Sequence, residues 1–133
     1  MPASTRTAEE AAAACGCGVA QIVKSLVFEV EGTAELRLLL VAGNNRVDIE
    51  KVAGETGERL GRADPKLVRA ETGFAIGGVP PIGHASAVPV LMDRSLLDHR
   101  TVWAAAGAPD AVFAVGPAAL AEAVKARIID VTD

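Results

Sequence analysis

Lys24 is where residue type and position conflict most. From Ile22 to Glu31 the sequence alternates as a strand does, with Ile22, Leu26, Phe28 and Val30 on one parity and Val23, Ser25, Val27, Glu29 and Glu31 on the other. Lys24 falls with the apolar set, so a regular strand aims its ammonium at an apolar face. An unpaired buried ammonium is costly, and such a lysine normally meets an anion, a carboxylate or a water-filled cleft. Two blander readings stay open: the strand starts after Lys24, or the side chain snorkels to the rim.

The segment from Gly73 to His84 is the second anomaly. It mixes four glycines with the adjacent Pro80 and Pro81 and carries no acidic or basic side chain before His84. Proline fixes φ, and glycine lets backbone amides approach a ligand with no Cβ in the way, which suits a preshaped loop that recognises a substrate through main-chain groups. A tight crossover between helix and sheet is the equal alternative. An unperturbed imidazole changes charge near working pH, so His84 could act as a base, although a lone histidine beside a loop is more often structural. His99, between Asp98 and Arg100, reads as surface. Asp93 ends a strand two residues before Ser95 and reads first as a turn or helix cap.

Other chemistries find little support. No G-x-S-x-G, Walker loop, H-E-x-x-H or G-x-G-x-x-G after a strand is present. Cys15 and Cys17 are too close for an unstrained loop-closing disulfide, and with two histidines they barely suffice for a zinc ligand set, so neither metal nor cofactor is expected. Arg59, Arg62, Lys66 and Arg69 step by three and four, but Pro65 interrupts the run and acids are interspersed, so a solvated surface is the first reading.

Local signals define the elements that position these residues. Thr7-Ala8-Glu9-Glu10 has capping-box spacing before an alanine run that reaches Gly16. Strands at Ile22–Glu31 and Glu35–Ala42, joined by Gly32-Thr33, form an expected hairpin. Asn44-Asn45 is a turn, Asp48 an N-cap for a helix kept short by Gly54 and Gly57, and Asp64-Pro65 starts a helix that runs to Glu71 and stops at Gly73. Val88–Met92, Val102–Ala106 and Ala111–Val115 read as short strands. Gly116-Pro117 opens a helix to about Arg127, and Ile128–Val131 reads as a last strand. The expected class is α+β: one compact domain with a curved, mostly antiparallel mixed sheet or barrel flanked by short helices.

With 133 residues the chain has the size of one domain. Half of it is apolar and only 3% aromatic, so the core is built from small side chains and a base-stacking platform for single-stranded RNA is disfavoured. The net charge of −4 does not attract a polyanion as a whole, and any nucleic-acid contact must be local. Nothing at the N-terminus resembles a secretory signal, and the longest stretch without Asp, Glu, Lys or Arg, Thr72 to Met92, holds too much Gly and Pro for a membrane helix. A cytoplasmic location is expected.

Six collinear segments resemble the YbaK/ProX family of aminoacyl-tRNA deacylases: Thr5-Arg6-Thr7-Ala8-Glu9-Glu10-Ala11-Ala12, Gln21 to Phe28, Gly43-Asn44-Asn45-Arg46-Val47-Asp48, Gly73 to Gly83, Pro89 to Asp93, and Val102 to Gly107. The family is related to the insertion editing domain of bacterial prolyl-tRNA synthetase. The resemblance implies a single domain over residues 1–133 that hydrolyses, in trans, the ester of a small noncognate amino acid (Ala, Cys or similar) on mischarged tRNA, with tRNA(Pro) a candidate. It implies that Lys24 matches the family's essential lysine and that Gly77 to Pro81 matches its Gly-x-x-x-Pro loop, so Lys24, Gly77 and Gly78 are the catalytic candidates. Ile22, Leu26, Phe28, Ile76, Val79, Pro80, Pro81, Gly83, His84 and Asp93 are the substrate-binding candidates. In the family the adenosine's vicinal hydroxyl is thought to assist, so no side-chain base is required. Mischarged aminoacyl-tRNA and an aminoacyl-tRNA synthetase are the implied partners, with no DNA and no membrane. Members usually carry a helix and a strand before the Thr-Arg-Thr segment, whereas the sequence here begins a few residues before it, so two readings stay open: the start is misassigned, or the fold closes its sheet differently. The rivals are a noncatalytic tRNA- or synthetase-binding module and an esterase on small acyl compounds.

Overall fold

A computed structural model describes residues 8–74, 81, 88–105 and 112–132 of the chain. The alanine run forms α1 (Ala8–Cys15), which ends where Gly16 takes a positive φ of 68°. A 3₁₀ turn (Val19–Gln21) leads into β1 (Ile22–Val30), and the hairpin expected from Gly32-Thr33 returns as β2 (Leu36–Ala42). The strand begins at Ile22, two residues before Lys24, so a late start does not explain that lysine.

The cap signals act as their chemistry requires. The Asp48 carboxylate accepts from the N–H groups of Glu50 and Lys51 at 3.0 and 3.2 Å and starts α2 (Ile49–Thr56), which Gly57 closes in the left-handed conformation. Asp64 accepts from Lys66 N, Pro65 takes the first helical position of α3 (Pro65–Thr72), and Gly73 closes it with φ of 82°. Between these helices lies β3 (Leu60–Arg62), which the sequence did not announce. Three residues carry no alternation to read, and this strand exists because β1 offers its edge. The remaining elements are β4 (Val90–Asp93), a 3₁₀ turn (Arg94–Asp98), β5 (Val102–Ala105), β6 (Val112–Val115), α4 (Pro117–Val124) and β7 (Arg127–Ile129). Helix α4 stops short of Arg127 because Lys125 adopts φ of 55° and Ala126 N donates to Ala121 O at 2.9 Å, freeing Arg127 to pair with Leu91.

The fold is a single α+β domain with a seven-stranded mixed sheet, in the order β6-β5-β1-β2-β4-β7 with β3 also on β1. The sheet stays open and forms no closed barrel. Antiparallel pairing covers most of the paired length, in β1–β2, β1–β3 and β5–β6, while β1–β5, β2–β4 and β4–β7 are parallel. Strand β2 sits in the middle and is covered on both faces, which is why it reads as an unbroken run, Leu38-Leu39-Leu40-Val41-Ala42, each at most 1% exposed. Full burial of each leucine is worth roughly 1.5–3 kcal/mol, so this strand anchors the domain. Leu38 and Leu40 face a cluster with Val23, Val68, Met92 and Leu120, while Leu39 and Val41 face another with Val52, Leu60 and Ile129. A small third cluster joins Ala11 and Ala12 of α1 to Ile22, with Trp103 against it.

Candidate active site

Strand geometry puts Lys24 on the face expected from its parity. It is opposite Val41 in the β1–β2 register, and its neighbours two and four residues on, Leu26 and Phe28, pack against the Leu39–Val41 cluster. Ile22, two residues before it, is buried beneath α1. Lys24 thus emerges between two apolar clusters and is half-buried. Its Nζ donates to the backbone carbonyl of Asn45 at 2.5 Å, and this is the one hydrogen bond of the ammonium among the described residues. Among the described residues, two N–H groups of the ammonium have no acceptor. Burial pushes the Lys24 amine below its usual range, and the neighbouring Arg46 guanidinium pushes the same way, while the carboxylates of Glu9 and Asp93 oppose both.

Asn45 belongs to the turn that follows β2, and the turn is held from several sides. Its backbone N–H donates to Ala42 O at 2.9 Å, and Gly43 N donates to Ile22 O at 2.8 Å. The Asn45 side-chain amide donates to Asp93 Oδ2 at 2.9 Å and to Ser95 Oγ at 3.2 Å. Asp93 is 1% exposed. Its Oδ2 also accepts from Ala42 N at 3.1 Å and its Oδ1 from Ser95 N at 2.9 Å, the cap expected of it. No room exists for a side chain at Gly43, because a Cβ there would lie 2.4 Å from Val19 O and 3.0 Å from the Ala8 Cβ. The glycine lets the turn tuck against α1 and the 3₁₀ turn before β1, which brings the Asn45 carbonyl up to Lys24.

The remaining candidates divide sharply. Ile22 is 5% exposed under α1, and Leu26 and Phe28 are half-buried with the Leu39–Val41 cluster. Pro81 is buried. Ile76, Gly77, Gly78, Val79, Pro80, Gly83 and His84 lie outside the described residues, so the meeting of Lys24 with the Gly/Pro loop stands as an expectation. Phe74 and Val88, which bracket that segment, pack against the cluster of Val23 and Val27, on the face of β1 opposite the Lys24 side chain. His99, expected at the surface, is half-buried at the end of the 3₁₀ turn. Arg59 is tied to Glu50 at 2.6 Å and to Glu31 at 3.7 Å, an acid-paired surface as first read. Cys15 and Cys17 are free thiols.

Sequence reasoning missed the part played by Asn45 and Ser95. Asn45 read only as a turn residue, and its partners are 48 and 50 positions away. Ser25 sits in no nucleophile-elbow context. Its hydroxyl is buried and makes no hydrogen bond among the described residues. A buried donor without a partner carries an uncompensated desolvation cost, so Ser25→Ala is expected to raise stability by about 1 kcal/mol. Denaturant unfolding checks this; a destabilised variant would mean that the hydroxyl is satisfied in solution.

Comparison with known proteins gives this arrangement its setting. A family model described as the aminoacyl-tRNA editing domain matches residues 2–123. The chain belongs to that family. A solved structure assigned provisionally as a trans-editing enzyme for prolyl tRNA synthetase is 47% identical, with a TM-score of 0.88 over 97% of this chain and 81% of that one. YwhH of Bacillus subtilis, itself uncharacterised, is 34% identical over 119 residues, 90% of this chain and 75% of that protein. EbsC of Enterococcus faecalis, provisionally named a Cys-tRNA(Pro)/Cys-tRNA(Cys) deacylase, is 24% identical over 127 residues, 95% of this chain and 77% of its own. No described helix of this editing-domain protein is long and apolar enough to cross a membrane.

Proposed function

We propose that this protein hydrolyses, in trans, the ester joining a small noncognate amino acid to tRNA, with alanine or cysteine as the amino acid and tRNA(Pro) as the first carrier to test. The observation that carries the reading is the half-buried Lys24 ammonium, held by one backbone carbonyl and keeping two N–H groups for an incoming anion or carbonyl. Membership of the editing-domain family supports it, as do a trans-editing assignment on one relative and a deacylase name on another.

The chemistry needed is modest. An aminoacyl ester is already activated toward water, so holding the 3′ end, admitting a water and stabilising the tetrahedral oxyanion supply most of the acceleration. Lys24 is the residue for the first or the last of these tasks, orienting the aminoacylated 3′ end or meeting the oxyanion as it forms. Side chains differing by a methylene are separated by only about 1–3 kcal/mol of fit, so pocket volume sets a modest selectivity among small amino acids.

A panel of mischarged tRNAs, assayed for deacylation with the wild type beside Lys24→Ala, tests the proposal. Turnover of Ala- or Cys-tRNA(Pro) that depends on Lys24 is the expected result. Binding without turnover on every member of the panel would make the protein a tRNA-binding module, and equal turnover of free aminoacyl esters would make it a general esterase.

The pH profile carries a further expectation. Lys24 must be protonated to hold an anion, so the rate, corrected for spontaneous hydrolysis, falls on the alkaline side as the amine loses its proton. Because burial lowers that pKa, the limb lies below the range of an exposed lysine. Arg46→Gln removes a cation that disfavours protonation and moves the limb to higher pH. Glu9→Gln removes a favouring carboxylate and moves it to lower pH. Shifts in the opposite directions would detach the limb from Lys24.

A further inference from the structure

We infer that Asn45 is a positioning residue for Lys24: its side-chain amide, pinned by Asp93 and Ser95, fixes the turn whose backbone carbonyl holds the lysine ammonium. The inference rests on the reading of Lys24 as the group that meets aminoacyl-tRNA.

A lysine has four side-chain torsions and a strongly hydrated head group, so a half-buried ammonium does not keep one place unless a fixed acceptor waits for it. The acceptor here is a main-chain oxygen, Asn45 O, at 2.5 Å. A turn carbonyl is fixed only if the turn is. Four hydrogen bonds meet that requirement: Asn45 Nδ2 to Asp93 Oδ2 and Ser95 Oγ, Asn45 N to Ala42 O, and Ala42 N to Asp93 Oδ2. Both carboxylate oxygens of Asp93 are taken by protein donors, one by Ala42 N and Asn45 Nδ2 and the other by Ser95 N. Asp93 therefore reaches the reacting end of the site through Asn45 rather than by touching the substrate. A direct Lys24–Asp93 salt bridge would neutralise the lysine. Interposing a carbonyl holds the ammonium with a single neutral acceptor and leaves its charge and two donors for the ligand.

Asn45→Ala keeps the chain length of the turn and removes both side-chain bonds. Two readouts follow on the full chain: single-turnover and steady-state deacylation of the mischarged tRNA that the wild type hydrolyses, and the titration of Lys24 followed by NMR on ¹³C-dimethylated protein. The expected result is a fall in kcat of about tenfold or more with KM changed less than about threefold, as for an interaction realised in the transition state. Lys24 is also expected to titrate at higher pH, because the released ammonium regains water. Ser95→Ala, which removes one of the two Asn45 acceptors and spares Asp93, is expected to shift both readouts the same way by a smaller factor, and it serves if Asn45→Ala does not fold. An unchanged Lys24 titration in both variants overturns the inference, as does a loss that lies wholly in KM. If the wild type hydrolyses no mischarged tRNA, the functional reading fails while the titration still judges the clamp.

Discussion

Replacing Lys24 by alanine is expected to cost at least about a hundredfold in the rate of deacylation, in line with losing one preorganised charged donor from a hydrolytic site, and to leave the fold standing. Among the described residues the lysine makes a single hydrogen bond, to Asn45 O, and lies between apolar clusters whose members pack without it. Its removal therefore withdraws a charge and two available donors from the site but no core contact. Lys24→Met, closer in length, is expected to show the same loss, which separates charge from volume. Single-turnover hydrolysis of Ala-tRNA(Pro) and Cys-tRNA(Pro), beside thermal unfolding, measures both consequences. Turnover by Lys24→Met within threefold of the wild type would remove the cation from the mechanism. The stability sign is definite as well. The folded-state pKa of Lys24 is lowered, so the unfolded chain binds more protons between the two pKa values, and this lysine's contribution to stability improves as pH rises through that window. Lys24→Met loses that dependence.

Asp93→Ala is expected to cost about 3 kcal/mol of folding stability, or roughly 10 °C in Tm for a domain of this size. The carboxylate is 1% exposed and accepts three hydrogen bonds, from Ala42 N, Asn45 Nδ2 and Ser95 N. Truncation strips those donors of their acceptor at the junction of β2, β4 and the 3₁₀ turn that follows, and only Asn45 keeps a second partner, Ser95 Oγ. Asp93→Asn retains one acceptor oxygen but turns an NH₂ toward a donor, so a smaller loss is expected there. Calorimetry or denaturant unfolding distinguishes the two. A Tm within 2 °C of the wild type for Asp93→Ala would mean that water replaces the carboxylate, and that the turn does not depend on it.

Both expectations concern contacts that differ in how far they could be read from the sequence. Asp48 and Asp64 as caps, and Gly57 and Gly73 as helix ends, were legible because each interaction spans four residues or fewer. The hairpin of β1 and β2 was legible from its alternation and short connection, and Lys24 stood out because it breaks that alternation. Collinear segments were enough for the family, and so for the α+β class.

What the tertiary structure decided depends on distant pairings that no local pattern encodes. Strand β3 forms because β1 has a free edge. The parallel neighbours of β1, β2 and β4 are set by crossovers rather than by residue type. The sequence marks Lys24 as anomalous but not its acceptor, since the bond to Asn45 crosses 21 residues and the bonds that steady Asn45 cross about 50. A sequence records such a bond only as two ordinary polar residues, because a hydrogen bond depends on distance and angle in space, and those exist once the sheet has brought β1, the turn after β2 and the end of β4 together.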